Sequence, residues 1–223
     1  MLTRSLGALA LILTLSATAA AHFVFIVPES AHKARVVFSD SLQPDENVPI
    51  TKISATKLQI RNADGKSSPL AWTKGEHAYS VEVPGTGSRV VYGVTDYGVL
   101  QKGKSKPYLL QYHPKAIFGA IPKDGGELGK DRAVEIVPIV SAGKVAFVVH
   151  ARGKPVASAE VHVLQKSGDE TLTTDEKGRT KAVEVKGQCG AWVRHTDAKA
   201  GKAGGKTYDE ARHYATLVFD AGK

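Results

Sequence analysis

Beyond residue 22, short runs of Val, Ile, Thr and aromatic residues alternate with clusters of Gly, Pro, Asn and Asp, and helical periodicity is almost absent. Runs of this length with period-two alternation predict strands, and many short strands separated by turn signals predict a β-sandwich or barrel. The predicted strands of the first half are Phe23–Val27, Lys33–Phe38, Lys57–Arg61, His77–Val83, Ser88–Val94 and Ala133–Ile139. Asn62-Ala63-Asp64-Gly65 and Pro84-Gly85-Thr86-Gly87 read as turns. Asp96 to Leu128 is less regular, and it is expected to be a long insertion packed on the sandwich with one helical turn.

A second unit is expected to begin after Ser141-Ala142-Gly143. In Lys144–His150 the residues Val145, Phe147 and Val149 share one face, and Ala159, Val161 and Val163 alternate with Glu160 and His162. Cys189–His195 and His213–Phe219 are the predicted closing strands. Gly153-Lys-Pro155-Val-Ala-Ser-Ala159-Glu-Val161, followed by Thr174-Asp175-Glu-Lys-Gly178-Arg, resembles small immunoglobulin-like or transthyretin-like modules of exported proteins. The expected fold class is therefore all-β, with two immunoglobulin-like or transthyretin-like sandwich modules, 22–140 and 141–223.

The first 21 residues follow a different pattern. Arg4 precedes an apolar run, Leu6 to Leu15, that is too short to span a bilayer, and Ser16 to Ala21 are small. This is the pattern of a secretory signal peptide, with an A-x-A site at Ala19 and Ala21 and a mature chain beginning at His22. The mature chain has no further transmembrane stretch, so a periplasmic or secreted protein is expected.

The chain carries 30 Lys and Arg against 22 Asp and Glu, a formal charge of +8 that becomes +7 once Arg4 is removed. The lysines are scattered among Gly, Ser and Asp, without the basic–aromatic interleaving of nucleic-acid readers, so no nucleic-acid partner is expected. They read as solvated surface lysines, with an acidic envelope polymer as the alternative, a loose electrostatic partner. Cys189 is the single cysteine, which excludes an internal disulfide, and its apolar strand face marks it as a small buried hydrophobe.

Three of the eight histidines attract a chemical reading. His22, as a mature N-terminus, would present an α-amine and an imidazole able to chelate one ion, a donor pair suited to Cu(II) and Ni(II). His195 ends one predicted strand and His213 begins the next, on the same face, so an antiparallel pairing would make them cross-strand neighbours. The connection between them, Gly- and Lys-rich from Lys199 to Lys206, is expected to be mobile, with Tyr208, Asp209 and Glu210 as possible oxygen ligands. His113 is a weaker fourth candidate, while His150 and His162 fall on polar strand faces and are expected to be solvated. No nucleophile elbow, zinc-protease helix or phosphate-binding loop is present.

Taken together, Ala21-His22-Phe23-Val24-Phe25-Ile26-Val27-Pro28, Val134-Glu135-Ile136-Val137-Pro138, the second-module motif and Tyr214-Ala215-Thr216-Leu217-Val218-Phe219 resemble an exported bacterial family. Its members are described as nickel- or cobalt-uptake substrate-specific periplasmic components, and they usually have Trp where Phe25 stands. The resemblance implies two sandwich modules and transition-metal handling, with His22 as the family's leading histidine and His195 as the histidine before its last long loop. The expectation is a periplasmic protein that binds Cu, Ni or Co at His22, His195 and His213 for uptake, delivery or sequestration, with a membrane metal transporter or envelope protein as partner. Its rivals are a non-catalytic envelope module that binds polymers or proteins without metal, and a copper oxygenase built on the N-terminal histidine.

Overall fold

The computed structural model describes residues 22–222; the predicted signal peptide lies outside them. The first half forms β1 (Phe23–Pro28), β2 (Lys33–Ser39), β3 (Lys57–Arg61), β4 (Ser67–Leu70), β5 (Thr73–Lys74), β6 (Tyr79–Glu82), β7 (Arg89–Leu100) and β8 (Tyr108–Phe118). The second half forms β9 (Glu135–Ser141), β10 (Lys144–Ala151), β11 (Lys154–Pro155), β12 (Glu160–Gln165), β13 (Glu170–Thr173) and β14 (Val183–Glu184). It closes with β15 (Gln188–Asp197), β16 (Gly201–Ala203), β17 (Lys206–Tyr208) and β18 (Glu210–Asp220). The protein is an all-β sandwich, and a single 3₁₀ turn, Ile50–Ile53, is its helical element among the described residues.

Both halves share one sheet. Eight strands run in the order β13-β12-β15-β18-β8-β7-β3-β4, and the joint between the halves is a parallel pairing of β18 with β8, from Glu210 opposite Tyr108 to Val218 opposite Ala116. A four-stranded sheet, β1-β2-β6-β5, covers one face of this central sheet. A small sheet built on β10, with β9, β11 and β14 beside it, covers the other. Because successive side chains of a strand point to opposite faces, β18 feeds both cores. Tyr214 packs with Phe23, Phe38 and Tyr112 in the first core, while Ala215, Leu217 and Phe219 join Phe147 and Val161 in the second. The buried Thr216 hydroxyl donates to the Val24 carbonyl at 2.7 Å, tying β1 to the joint.

Three sequence expectations are corrected. Residues 96–128 are not an irregular insertion: the end of β7 and all of β8 are central strands. A bulge obscures the alternation, since Asp96 pairs with Gln111 and Gly98 with Leu110, leaving Tyr97 as the extra residue beside a Gly98 at φ 111°. The boundary near residue 140 also moves. Ala142 and Gly143 both have positive φ, 50° and 73°, and form the tight turn that folds β9 onto β10. Val134 and Ile136 therefore belong to the second core. Finally, the connection between His195 and His213 is not a bare loop, because Gly201–Ala203 and Lys206–Tyr208 pair as a hairpin.

Candidate functional site

The two faces of the central sheet carry two distinct sites. On the face of the first core, a cleft of about 430 Å³ opens between β1, the 3₁₀ turn and the outer ends of β7, β8 and β18. Its walls are phenolic: Tyr97, Tyr108, Tyr112 and Tyr214. The Tyr97 and Tyr112 rings meet edge to face at 5.8 Å, and Tyr112 stacks on Tyr214 at 5.8 Å. The bulge in β7 places Tyr97 in this cluster. Burial, and then the neighbouring phenols, push the Tyr112 hydroxyl well above its ordinary value, so the floor of the cleft is neutral.

Three cations stand on this cleft, Lys52, Lys102 and Arg212. The Arg212 guanidinium lies 3.7 Å from the centre of the Tyr108 ring, and its Nε donates to Glu210 Oε1 at 2.7 Å. Arg212 is thus held flat against an aromatic face by an acid on its own strand. His22 sits at the edge. Its ring packs on Phe38 at 5.4 Å, and its Nε2 lies 2.6 Å from Asp45 Oδ2. That hydrogen bond, ahead of one from the Asn47 amide, holds the Asp45 carboxyl below its usual range.

On the opposite face, at the end of the second sandwich, lies a cluster of imidazoles. His195 and His213 are direct antiparallel partners of β15 and β18, as their spacing predicts. His113, on the strand across the parallel joint, brings its Nε2 to 3.1 Å from His213 Nδ1. Asp197 shares the face of His195, two positions on, with Oδ1 3.4 Å from His195 Nε2 and Oδ2 3.6 Å from His213 Nε2. Arg152 donates to Asp197 Oδ2 at 2.9 Å. His113 and His213 are 6% and 3% exposed, and the buried atoms His113 Nδ1 and His213 Nε2 make no hydrogen bond.

The charges of this cluster follow from burial. Desolvation pushes His113 well below the ordinary imidazole value, with the positive charge of Arg132 adding to it. Desolvation also lowers His213, partly offset by the Asp197 carboxylate. Burial alone would raise Asp197, but the hydrogen bond and charge of Arg152 and the field of the two histidines hold it below its usual range. The result is a carboxylate held in its ionised form beside His113 and His213 rings that resist protonation.

The structure thus brings His195 and His213 together and leaves His22 elsewhere. His22 lines the tyrosine cleft with Tyr214, whereas His213, the adjacent residue of β18, faces the other side of the sheet. A single His22–His195–His213 site is not assembled. His113, the weaker fourth candidate of the sequence, joins the cluster, and one contributor went unread, Asp197, whose i+2 spacing from His195 would have revealed it. His150 and His162 are not simply solvated: His150 Nδ1 lies 3.2 Å from Glu127 Oε1, and His162 stacks on Trp192 at 3.7 Å.

Among the described residues, the trio whose ligand atoms all fall within 4.8 Å of one another is Glu127, Glu135 and His150. One of its members, Glu135, is already paired with a cation. The buried Lys115 ammonium lies 2.9 Å from Glu135 Oε2, and Glu135 also accepts from the amides of Leu128 and Gly129. This is a satisfied structural ion pair between β8 and β9.

No family model matches the chain, and no curated protein matches it. Among solved structures, the chain is similar to the BSP domain of a biofilm-associated protein, at 12% identity over 87% of this chain and 29% of that one, with a TM-score of 0.20. It is also similar to a two-domain fibronectin type III segment of chicken tenascin, at 13% identity over 86% of this chain and 97% of that one, with a TM-score of 0.25. A bacterial ice-binding adhesin of 1.5 MDa matches at 13% identity over 86% of this chain and 59% of that one, also at 0.25. Scores this low decide nothing about function.

Proposed function

We propose that the chain is an exported binding module of the cell envelope whose ligand is a segment of an acidic oligosaccharide. The observation that supports this most is the cleft on β7, β8 and β18, where four tyrosines stand beside Lys52, Lys102 and Arg212. Flat phenolic faces suit sugar rings, and cations around an aromatic floor suit carboxylate substituents. The chain's net charge of +8 favours the same class of partner.

Calorimetric titration with an oligogalacturonate, beside a neutral oligosaccharide of equal length, tests the reading. Saturable binding of the acidic ligand alone, weakened at least tenfold by Arg212→Ala and by rising salt, supports it. Equal affinity for both ligands, or binding unchanged by Arg212→Ala, overturns it.

A second reading, capture of Cu, Ni or Co for uptake, delivery or sequestration, is favoured by the imidazole cluster on the opposite face.

A further inference from the structure

Resting on the reading of the tyrosine cleft as an acidic-oligosaccharide site, we propose that its ligand is a long polymer. The chain runs out of the cleft across two lysine-bearing hairpins, residues 101–106 and 199–206, which form a second, electrostatic subsite for its carboxylates.

The hairpins belong to different halves of the protein, and the parallel joint brings them together. Glu210 stands opposite Tyr108 at its start, so the segments leading into β8 and β18 run side by side. The Asp209 amide donates to the Pro107 carbonyl at 2.9 Å, and β17 packs against β7. The first hairpin rises from the wall of the cleft. Leu100 and Tyr108, paired at its base, both line the cleft, and so does Lys102 at its tip.

One hairpin carries Lys102, Lys104 and Lys106, the other Lys199, Lys202 and Lys206; all six are exposed, and neither segment contains an acid. Around the second hairpin, Asp197 is held by Arg152 and Glu210 by Arg212, which leaves Asp209 as the remaining acid of that connection. Among the described residues the ion-paired lysines are Lys33, Lys66, Lys115 and Lys181, all elsewhere. Like charges gathered on two neighbouring tips repel one another, and a bound polyanion removes that cost.

Both tips have a fixed backbone. Gly103, at φ 55°, closes the first, where the Ser105 amide donates to the Lys102 carbonyl at 3.0 Å. Gly204 and Gly205, at φ 54° and 79°, form the two-residue turn of the second, and Tyr208 packs across that hairpin onto its partner Gly201. Ammonium groups on flexible stems, unlike a forked guanidinium, accept carboxylates in many registers, which suits a repeating chain. Neither tip carries a Trp, Phe or Leu to enter a bilayer interface, which favours a soluble polymer over a membrane.

Calorimetry of the chain from His22 onward, with trigalacturonate and with dodecagalacturonate, separates the two subsites. At about 0.15 M salt, exposed charges more than about 8 Å apart are largely screened. Lys104→Gln, Lys202→Gln and Lys206→Gln together should then weaken the dodecamer at least tenfold and flatten its salt dependence, while leaving the trimer within twofold. Removing as many charges at Lys144, Lys166 and Lys186, exposed at the opposite end of β15, should leave both ligands within twofold. A dodecamer weakened no more than the trimer, or weakened equally by the control set, overturns the proposal and leaves the cleft reading standing. No binding of either ligand overturns both. Lysine-dependent binding to phosphatidylglycerol vesicles in place of the dodecamer effect assigns the hairpins to a membrane surface and also overturns the proposal.

Discussion

His113 and His213, a hundred positions apart in the chain, meet ring to ring at 3.1 Å across the parallel pairing that joins the two halves of the protein. Neither can take a proton cheaply, because burial lowers both from the ordinary imidazole value of 6.5. The unfolded chain binds protons at these positions before the folded one does. Stability is therefore fully present above about pH 6.5 and falls as the pH drops below it. Each histidine contributes a slope of up to about 1.4 kcal/mol per pH unit. Urea unfolding between pH 7.5 and 4.5 should show this decline, and His113→Gln should flatten it. A profile that is flat in this window contradicts the assignment.

The Lys115–Glu135 pair crosses from the central sheet to β9 with both side chains almost fully buried, 2% and 3% exposed. Desolvation lowers the Lys115 ammonium from its ordinary value even though Glu135 opposes the shift. Lys115→Ala strands a buried carboxylate and should cost about 3–5 kcal/mol in urea unfolding. Adding Glu135→Gln, whose carbonyl can still accept from the amides of Leu128 and Gly129, should recover part of that loss.

A sheet that runs through both halves makes separate unfolding of either half unfavourable. Losing the second half would expose the edge of β8 and strip β18 of its contacts with the first core. Differential scanning calorimetry should give one transition with equal calorimetric and van't Hoff enthalpies. Two resolved transitions would mean that the modules are independent.

Ala142 sits at φ 50° in the β9–β10 turn, a conformation that costs an L-residue with a Cβ roughly 1 kcal/mol. Ala142→Asn, which gives the Asn-Gly pair favoured in such turns, should raise the thermal midpoint by a few degrees. A lowered midpoint would show that the turn is not formed as described.

Much of this fold was legible because alternation is a local signal. Phe23–Val27, Lys57–Arg61 and Lys144–His150 read as strands from their own residues, and the cross-strand pairing of His195 with His213 followed from face parity. Two kinds of information were not local. The β18–β8 pairing joins residues about a hundred positions apart, and nothing in either strand's own pattern specifies a parallel partner. The bulge at Tyr97 interrupts period two, so the end of β7 looked irregular, and β8 is buried on both faces from Tyr112 on, so no alternation marked the strand that carries His113. The placement of His22 away from the other histidines turns on the same parity, since Tyr214, not His213, faces its side of the sheet.

The central claim, that the tyrosine cleft is the ligand-binding surface, is tested most directly by ring-labelled tyrosine NMR during titration with oligogalacturonate. Saturating shifts should appear at Tyr97, Tyr108 and Tyr214, which line the cleft, and not at Tyr79, which packs on Trp72 away from it. Shifts centred on Tyr79, or none at saturating ligand, would contradict the account.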